Sequence, residues 1–361
     1  MQRRRIESIT VQGFRRLHDV KLDLRPLSVL IGANGVGKTS VLDALALLSR
    51  SAKSELRQAV SDLGGISSLI SCGGGHDLSL AIDSVDEQGG HWLYWLILTI
   101  EGVGYRIARE TLSTPDSTNH ELHGDFVFEE LESSLSQAPR TYSGKLVAGL
   151  LSSLTHYHEL SVEPRSPVRV PQQLRPADLP GRNGEDLVSC LFSMRESHRE
   201  RFDAVEDSLR SAFPRFERLE FPPVAAGTVS LGWRERGFSQ PFYPHQLSEG
   251  TLRYLWLTTL LQSPGLTALT LLDEPEVSLH PELLNLLADQ FREASERTQL
   301  VVATHSDTLI RFLKPEEVVV MDSGEEGMTT LTRADELDLE EWLKDYSLDE
   351  LWRNGRLGAR A

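Results

Sequence analysis

The first hundred residues alternate between apolar and polar side chains in short stretches, which is the period of β-strands. The alternation predicts strands over residues 5–11 and 20–24, and the apolar run at 27–31 predicts a buried parallel strand. A glycine-rich turn follows at once. Apolar positions at helical spacing then predict an amphipathic helix over residues 40–48.

Alternation continues after this helix and then gives way to helical patterns. Residues 78–82, 91–100 and 105–110 predict strands of an antiparallel meander joined by Gly and Asp turns. From about 126 to 213 the pattern is mostly helical, with proline-rich interruptions and one long helix over 185–212. We therefore predict a helical insertion at 113–215 between an N-terminal half, 1–112, and a C-terminal half, 216–361.

The C-terminal half returns to an alternation of strands and helices. Short apolar stretches predict strands near 219–221, 229–233, 266–272 and 300–303, with a last strand at 318–321. Helices are predicted over 252–261 and 281–295, and the acidic tail at 337–351 is predicted to be helical.

Composition limits the class of protein. Of the 361 residues, 40% are hydrophobic and 25% are charged, which supplies ample material for a core. No apolar run is long enough to span a membrane, and the start of the chain does not read as a signal peptide. Cys72 and Cys190 stand far apart and form neither a disulfide framework nor a paired metal motif. The sequence predicts a cytoplasmic protein without a membrane partner.

The formal net charge of −16 disfavours a generic nucleic-acid binder, because such binding needs Lys and Arg to neutralise phosphates. A local basic patch on the surface stays compatible with this balance.

The glycine turn matches the phosphate-loop pattern G-x-x-x-x-G-K-[ST]. Glycines let backbone N–H groups and a helix N-terminus face an anion. Lys38 is expected to reach the β- and γ-phosphates, and Thr39 to hold Mg²⁺ through its hydroxyl. The alternative is a turn that binds nothing, but a strand before it and a helix after it favour ATP binding. The expected ATP-binding residues of this loop are Gly32, Ala33, Asn34, Gly35, Val36, Gly37, Lys38, Thr39 and Ser40.

A second chemical motif is the apolar stretch 269–272 followed by Asp273 and Glu274. We expect Asp273 to hold a water bound to Mg²⁺, and Glu274 to orient and deprotonate the attacking water. Taken alone, the same residues could be the acidic start of a helix capped by Asp273.

Two further motifs carry little information by themselves. Residues 247–250 read Leu-Ser-Glu-Gly before an apolar helix, where Ser248 could simply be an N-cap. His305 follows the strand predicted at 300–303 and could be an ordinary loop residue.

The order of these four motifs resembles that of the ABC ATPases, and most of all the RecF/RecN/SMC/OLD branch with its small stand-alone bacterial ATPases. Gly-Phe-Arg at 13–15, Gly-Ala-Asn-Gly at 32–35 and Ser-Leu-His-Pro at 278–281 also fit that branch. The resemblance covers residues 5–70 and 244–322. It implies an α/β fold of the P-loop NTPase class with an ABC-ATPase head: a mixed central sheet, an antiparallel side sheet and a helical insertion.

The resemblance also implies roles for individual residues. Ser248 and Gly250 would contact the γ-phosphate of ATP held by a second copy, so the chain would form a homodimer with ATP at its interface. Arg15 would approach the ATP, although it could equally be a solvated arginine at a strand end. The implied catalytic residues are Lys38, Glu274 and His305, the last as a switch that senses the γ-phosphate.

The sequence departs from the family pattern at two points. The glutamine that usually follows the first helix and senses Mg²⁺ cannot be placed, and Gln58 is the nearest candidate. Glu249 stands where the signature usually has a small residue.

Several biological roles fit this resemblance. The chain could act on DNA in repair or maintenance, or serve as the ATPase of a phage-defence system that controls a separate effector protein. It could also be a regulatory switch that binds ATP, or a transporter ATPase. The insertion and the Gly-Phe-Arg opening argue against the transporter.

Overall fold

The computed structural model describes residues 5–71, 75–85, 89–113, 119–121, 131–137, 142–324, 327–339, 342 and 346–357. In chain order the strands are β1 (Arg5–Phe14), β2 (Leu17–Asp23), β3 (Leu27–Gly32), β4 (Asp77–Val85), β5 (His91–Glu101), β6 (Gly104–Ser113), β7 (Asn119–Glu121), β8 (Thr155–Tyr157), β9 (Gln172–Gln173), β10 (Phe216–Glu220), β11 (Pro223–Ala225), β12 (Thr228–Val229), β13 (Gly232–Glu235), β14 (Leu269–Asp273), β15 (Gln299–Ala303), β16 (Val318–Ser323) and β17 (Thr329–Arg333). The helices are α1 (Lys38–Ser51), α2 (Leu56–Asp62), α3 (Ile66–Leu69), α4 (Tyr142–Ser152), α5 (Leu187–Ser197), α6 (Arg199–Ala212), α7 (Glu249–Gln262), α8 (Pro281–Ser295), α9 (Asp307–Ile310) and α10 (Leu348–Arg353).

A mixed central sheet organises the molecule. Its order within the described residues is β17-β16-β3-β15-β14-β8, and all neighbours are parallel except β17 against β16. Every residue of β3 and β15 is buried, as expected for parallel strands covered on both faces. Because all five parallel strands end at one edge, the loops after β3, β14, β15 and β8 meet there.

Two hydrophobic cores lie on opposite faces of this sheet. Val29 and Ile31 of β3 pack into one core with α7 and α8, whereas Leu30 packs into the other with α1. The second core is closed by an antiparallel side sheet of order β2-β1-β4-β5-β6-β7. The predicted meander is therefore confirmed, and α1 lies between two sheets.

The long helix predicted over residues 185–212 is wrong. The chain breaks at His198, whose φ of −136° and ψ of 57° end α5 and begin α6. All seven residues from 195 to 201 around the break are polar, so this stretch has no apolar face that would keep one continuous helix packed. The break lets α5 and α6 pack against each other, with Phe202, Val205 and Leu209 of α6 buried.

The C-terminal end also differs from the prediction. The strand at 318–321 is not the last, because β17 forms a hairpin with β16, and Gly324 closes the turn by donating its N–H to Met328 O at 2.7 Å. The predicted tail helix is wrong for residues 337–339, and α10 begins only at Leu348 after a Ser347 capping box.

The middle segment contributes to the central sheet as well as carrying helices. Part of the stretch 126–213 lies outside the described residues, but Thr155–Tyr157 forms β8 at the sheet edge beside β14. Cys190 is buried and Cys72 lies outside the described residues. In the part of the chain that is described, no helix is both long and apolar enough to cross a membrane.

Candidate functional site

The phosphate loop joins β3 to α1 and needs its glycines for steric reasons. A Cβ on Gly32 would lie 2.5 Å from Met321 O, and Gly37 has a left-handed φ of 112°. Thr329 of β17 donates its hydroxyl to Val36 O at 2.7 Å and so holds the loop. Within the loop, Asn34, Gly35 and Thr39 are exposed, whereas Gly32, Val36, Lys38 and Ser40 are buried.

Lys38 is the cation at the centre of the site. Its Nζ donates to Gly32 O at 2.5 Å and Ala33 O at 3.0 Å, and lies 3.1 Å from His305 Nδ1. Burial lowers the pKa of Lys38 to about 8, although nearby carboxylates act in the opposite direction. The ammonium group is therefore held at the mouth of the loop and is easily deprotonated for a lysine.

The two predicted carboxylates follow β14 at the same sheet edge. Asp273 Oδ1 accepts from Thr39 Oγ1 at 3.5 Å. Glu274 has a left-handed φ of 48°, and its N–H donates to Ala303 O at 2.9 Å. This backbone costs roughly 1–3 kcal/mol and turns Glu274 away from the strand direction. Its Oε1 lies 3.1 Å from His305 Nε2.

His305 therefore lies between a cation and a carboxylate. Burial, followed by the charge of Lys38, lowers the pKa of His305, which favours the neutral ring. Because Lys38 can only donate, Nδ1 is assigned as the acceptor, and the proton is assigned to Nε2, which donates it to Glu274. The arrangement fixes the direction of both hydrogen bonds.

Glu276 supports this loop and was missed by the sequence analysis. Its Oε1 accepts from the Thr304 hydroxyl and from His305 N at 3.3 Å. Burial raises the pKa of Glu276. The carboxyl group thus ties the loop after β14 to the loop after β15. The only feature of the sequence that points to Glu276 is its position two residues after Glu274.

Arg15 is paired rather than freely solvated. Its Nη1 donates to Asp43 Oδ2 at 2.6 Å, and the Arg15 backbone has a left-handed φ of 50°. Asp43 lies one helical turn after Thr39 on α1. Burial raises the pKa of Asp43, and the Arg15 guanidinium opposes that rise. Arg15 therefore anchors the β1–β2 turn to the helix that carries the phosphate loop.

The signature segment forms the N-terminus of α7. Ser248 is exposed, and its Oγ accepts from Thr251 N at 3.1 Å, so Ser248 is an N-cap. Gly250 is required because an added Cβ would lie 2.7 Å from Ser278 O. Among the described residues, no hydrogen bond links Ser248 to the phosphate loop of its own chain.

Arg253 connects three segments around the signature and was also missed. Its Nη1 donates to Val277 O at 3.2 Å and to Ser278 Oγ at 3.1 Å. Its Nη2 pairs with a Glu159 oxygen at 2.5 Å. Arg253 is largely buried. The backbone of its partner Ser278 is left-handed, with a φ of 62°. The segment after β8, the signature helix and the loop before α8 are therefore held as one unit.

Two histidines occupy the sheet edge beside Asp273. His158 Nδ1 lies 3.8 Å from Asp273 Oδ2, and the His156 and His158 rings are 4.0 Å apart. Burial lowers the pKa of His156 to about 3. The His-x-His spacing was the available sequence signal for these two histidines.

Gln58, the candidate for the glutamine that senses Mg²⁺, lies on α2 and donates to Asp62 of the same helix at 2.6 Å.

The residues at the site fit ATP and Mg²⁺. A hydroxyl from Thr39 and a carboxylate from Asp273 are the hard oxygen ligands that Mg²⁺ prefers. The α1 N-terminus has Gly37 as its cap and, among the described residues, no side-chain cap, so no side chain takes the place of an anion at its N–H groups.

Comparisons with solved structures agree with this fold. An SMC head bound to the C-terminal winged-helix domain of ScpA matches with a TM-score of 0.58 and 15% identity, covering 91% of this chain and 97% of that one. The SMC head domain from Thermotoga maritima matches at 0.51 and 12% identity, covering 91% and 98%. The Pyrococcus furiosus Smc head with an extended coiled coil, bound to the C-terminal domain of ScpA, matches at 0.59 and 13%, covering 94% and 98%.

The sequence comparison identifies the family. Residues 27–311 match the family described as "AAA domain, putative AbiEii toxin, Type IV TA system". No functionally curated protein matches the chain. The fold of an SMC head and a family match over most of the chain agree with the motif order Lys38, Ser248, Asp273, His305. The chain belongs to this AAA-domain family and has the fold of an SMC head domain.

Proposed function

We propose that the chain is a Mg²⁺-dependent ATP hydrolase whose active sites are completed between two copies of itself. The observation that carries this proposal is the convergence of five side chains at the ends of three adjacent parallel strands: Lys38, Thr39, Asp273, Glu274 and His305. Each has a chemical function in phosphoryl transfer, and the contacts that join them span less than 4 Å.

The proposed chemistry assigns one task to each side chain. Lys38 would bind the β- and γ-phosphates in place of the loop carbonyls that it contacts. Glu274 would orient the attacking water and accept its proton, and His305 would hold Glu274 through the Nε2–H bond. When bound through Thr39 and Asp273, Mg²⁺ would neutralise phosphate charge.

The exposure of the signature supports the proposed dimer. Ser248 lies at the N-terminus of a 14-residue helix, where backbone N–H groups and the helix dipole favour an anion. Its described contacts are local. In a two-fold, head-to-tail dimer Ser248 and Gly250 would contact the γ-phosphate bound by the loop of the partner. Loss of that phosphate would loosen the dimer.

Mixing two inactive variants tests this proposal. Lys38→Ala removes the phosphate-loop cation, and Ser248→Arg blocks the signature. In a mixed dimer, one site combines the intact loop of the Ser248→Arg chain with the intact signature of the Lys38→Ala chain. Equal amounts should therefore recover about a quarter of the wild-type ATPase rate, because half of the dimers are mixed and each has one intact site.

The matched control is a mixture of Lys38→Ala with a Lys38→Ala, Ser248→Arg double variant. This mixture contains no intact site and should stay inactive. A mixture of the two single variants that is no more active than either variant alone would contradict a site shared between chains.

A nucleic-acid-linked role is our proposal for the biological context, in DNA maintenance or phage defence, with control of a separate effector protein as the alternative. The family description names a toxin of a type IV system, which favours defence. Two of the matched SMC heads were solved with ScpA bound, which supports a protein partner. ATPase rates with single-stranded DNA, duplex DNA and RNA decide between them. Stimulation by one of the three supports the nucleic-acid role, and a flat response supports a protein partner.

A further inference from the structure

Two histidines and a carboxylate meet at the edge of the central sheet. β8 and β14 are parallel, with His156 beside Leu271. Side chains two residues apart on a strand share a face, so His158 and Asp273 continue the same face at the strand ends. One ring nitrogen of each histidine and one oxygen of Asp273 all lie within 4.8 Å of one another.

The spacing suits one metal ion after a small movement. Ligand atoms about 2.1 Å from a common ion lie roughly 3 to 4 Å apart. His158 Nδ1 and Asp273 Oδ2 are already 3.8 Å apart, and the His158 side chain is 62% exposed. Rotation of this exposed ring can close the remaining distance without moving the sheet.

The other histidine is buried and has an unsatisfied atom. His156 is 5% exposed, and among the described residues its Nε2 has no hydrogen-bond partner. A buried polar atom without a partner is unfavourable, so such atoms call for an explanation. Because His156 lies beside His158 and Asp273, this observation indicates that the three side chains bind a ligand together.

We propose that His156, His158 and Asp273 bind a first-row transition-metal ion such as Zn²⁺ in the absence of nucleotide. Two imidazoles and one carboxylate suit Zn²⁺ and leave a fourth position open. Mg²⁺ prefers a shell of six oxygens, so this ligand set selects against it. Asp273 Oδ2 faces His158, whereas Oδ1 faces Thr39, so the ion uses a different oxygen from Mg²⁺ in the proposed ATP site.

Metal binding would tie the segment that follows β8 to the strand that carries the acidic pair. That segment begins with His158 and continues to Glu159, the partner of Arg253. The ion would therefore connect Asp273, through the segment that contains Glu159, to Arg253 of the signature helix. This inference does not depend on ATP hydrolysis.

Titration of the metal-stripped protein with Co²⁺ tests the proposal. Co²⁺ substitutes for Zn²⁺ and reports an ordered site by visible d–d absorption. We expect one Co²⁺ per chain, displaced by Zn²⁺ but not by a large excess of Mg²⁺. His158→Ala should lower Co²⁺ affinity at least about tenfold, and the exposed position of His158 favours normal folding of this variant.

Two control variants show whether the effect on Co²⁺ binding is specific to this cluster. His91→Ala removes an exposed histidine whose Nδ1 lies 3.5 Å from Asp83 but which belongs to no three-ligand group among the described residues, so Co²⁺ affinity should not change. Lys38→Ala should lose ATP binding and keep Co²⁺ binding, which separates this inference from the proposed function. Wild-type Co²⁺ affinity in His158→Ala, or no Co²⁺ binding by the folded protein, would overturn it.

Discussion

The Nε2 atom of His305 lies 3.1 Å from Oε1 of Glu274. On its other side, the His305 ring meets Lys38 at the same distance. One neutral imidazole therefore joins the cation expected to bind phosphate with the carboxylate expected to activate water. The two groups are therefore linked through one side chain.

His305→Ala should lower ATP turnover by about a hundredfold, because Glu274 loses the hydrogen bond that orients it. Binding of Mg²⁺–ATP should change less than about threefold, because Lys38 and the loop backbone stay in place. Single-turnover kinetics and equilibrium binding measure the two effects separately. His91→Ala on the side sheet is the control. Turnover within threefold of wild type would remove His305 from the mechanism.

ATP affinity should depend on pH through Lys38. The free protein has a Lys38 pKa of about 8, and bound phosphates would raise it. Below pH 8 the ammonium is charged with or without ATP, so affinity is constant. Above pH 8 only the complex keeps the proton, so affinity should fall by up to about tenfold per pH unit. Isothermal titration of the wild-type protein with a non-hydrolysable ATP analogue measures this, because Glu274→Gln would itself lower the pKa of Lys38.

Lys38→Arg is the matched control for the pH experiment. Its guanidinium stays charged throughout the range, so its affinity should be lower but independent of pH. A wild-type profile as flat as that of Lys38→Arg would contradict the assignment of the pH dependence to Lys38.

Arg253→Ala should lower the free energy of unfolding by about 1–3 kcal/mol, because three hydrogen-bonded contacts are lost from a mostly buried side chain. Urea denaturation measures this change. Arg218→Ala removes an exposed arginine that pairs with Glu217 and Glu220, and should cost less than about 1 kcal/mol. Equal costs for the two variants would show that Arg253 does not connect the segments around α7.

Arg15→Ala should destabilise the fold by about 2 kcal/mol, because it leaves the mostly buried Asp43 carboxylate without its cation. The pKa of Asp43 is already raised by burial and would rise further in the variant. Since the folded state then binds the proton more tightly, the deficit should shrink as pH falls. A double-mutant cycle with Asp43→Ala measures the coupling, and zero coupling would contradict the pairing.

Much of the site was predictable because each motif is continuous in sequence and follows a strand. The phosphate loop and the acidic pair are local patterns, and the bounds of α8 were predicted because Pro281 marks its first residue. The domain boundaries at 112 and 215, and the roles of the site residues, stay predictions.

The parts that were not predictable depend on long-range contacts. β8 is three residues long, too short for a periodic pattern, and its partner β14 lies more than a hundred residues later. The approach of His158 to Asp273 arises from that pairing. Glu276 and Arg253 act through contacts with backbone and side chains of other loops, which no spacing in the sequence reveals.

Light scattering of Glu274→Gln with Mg²⁺–ATP tests the central claim most directly. This variant keeps the binding groups and lacks the proposed base, so ATP should stay bound and hold two chains together. We predict a monomer without nucleotide and twice that mass with ATP. When the Ser248→Arg substitution is introduced into the same Glu274→Gln chain, we predict a monomer even with ATP. A Glu274→Gln chain that stays monomeric with saturating ATP, or a dimer indifferent to Ser248→Arg, would contradict the shared site.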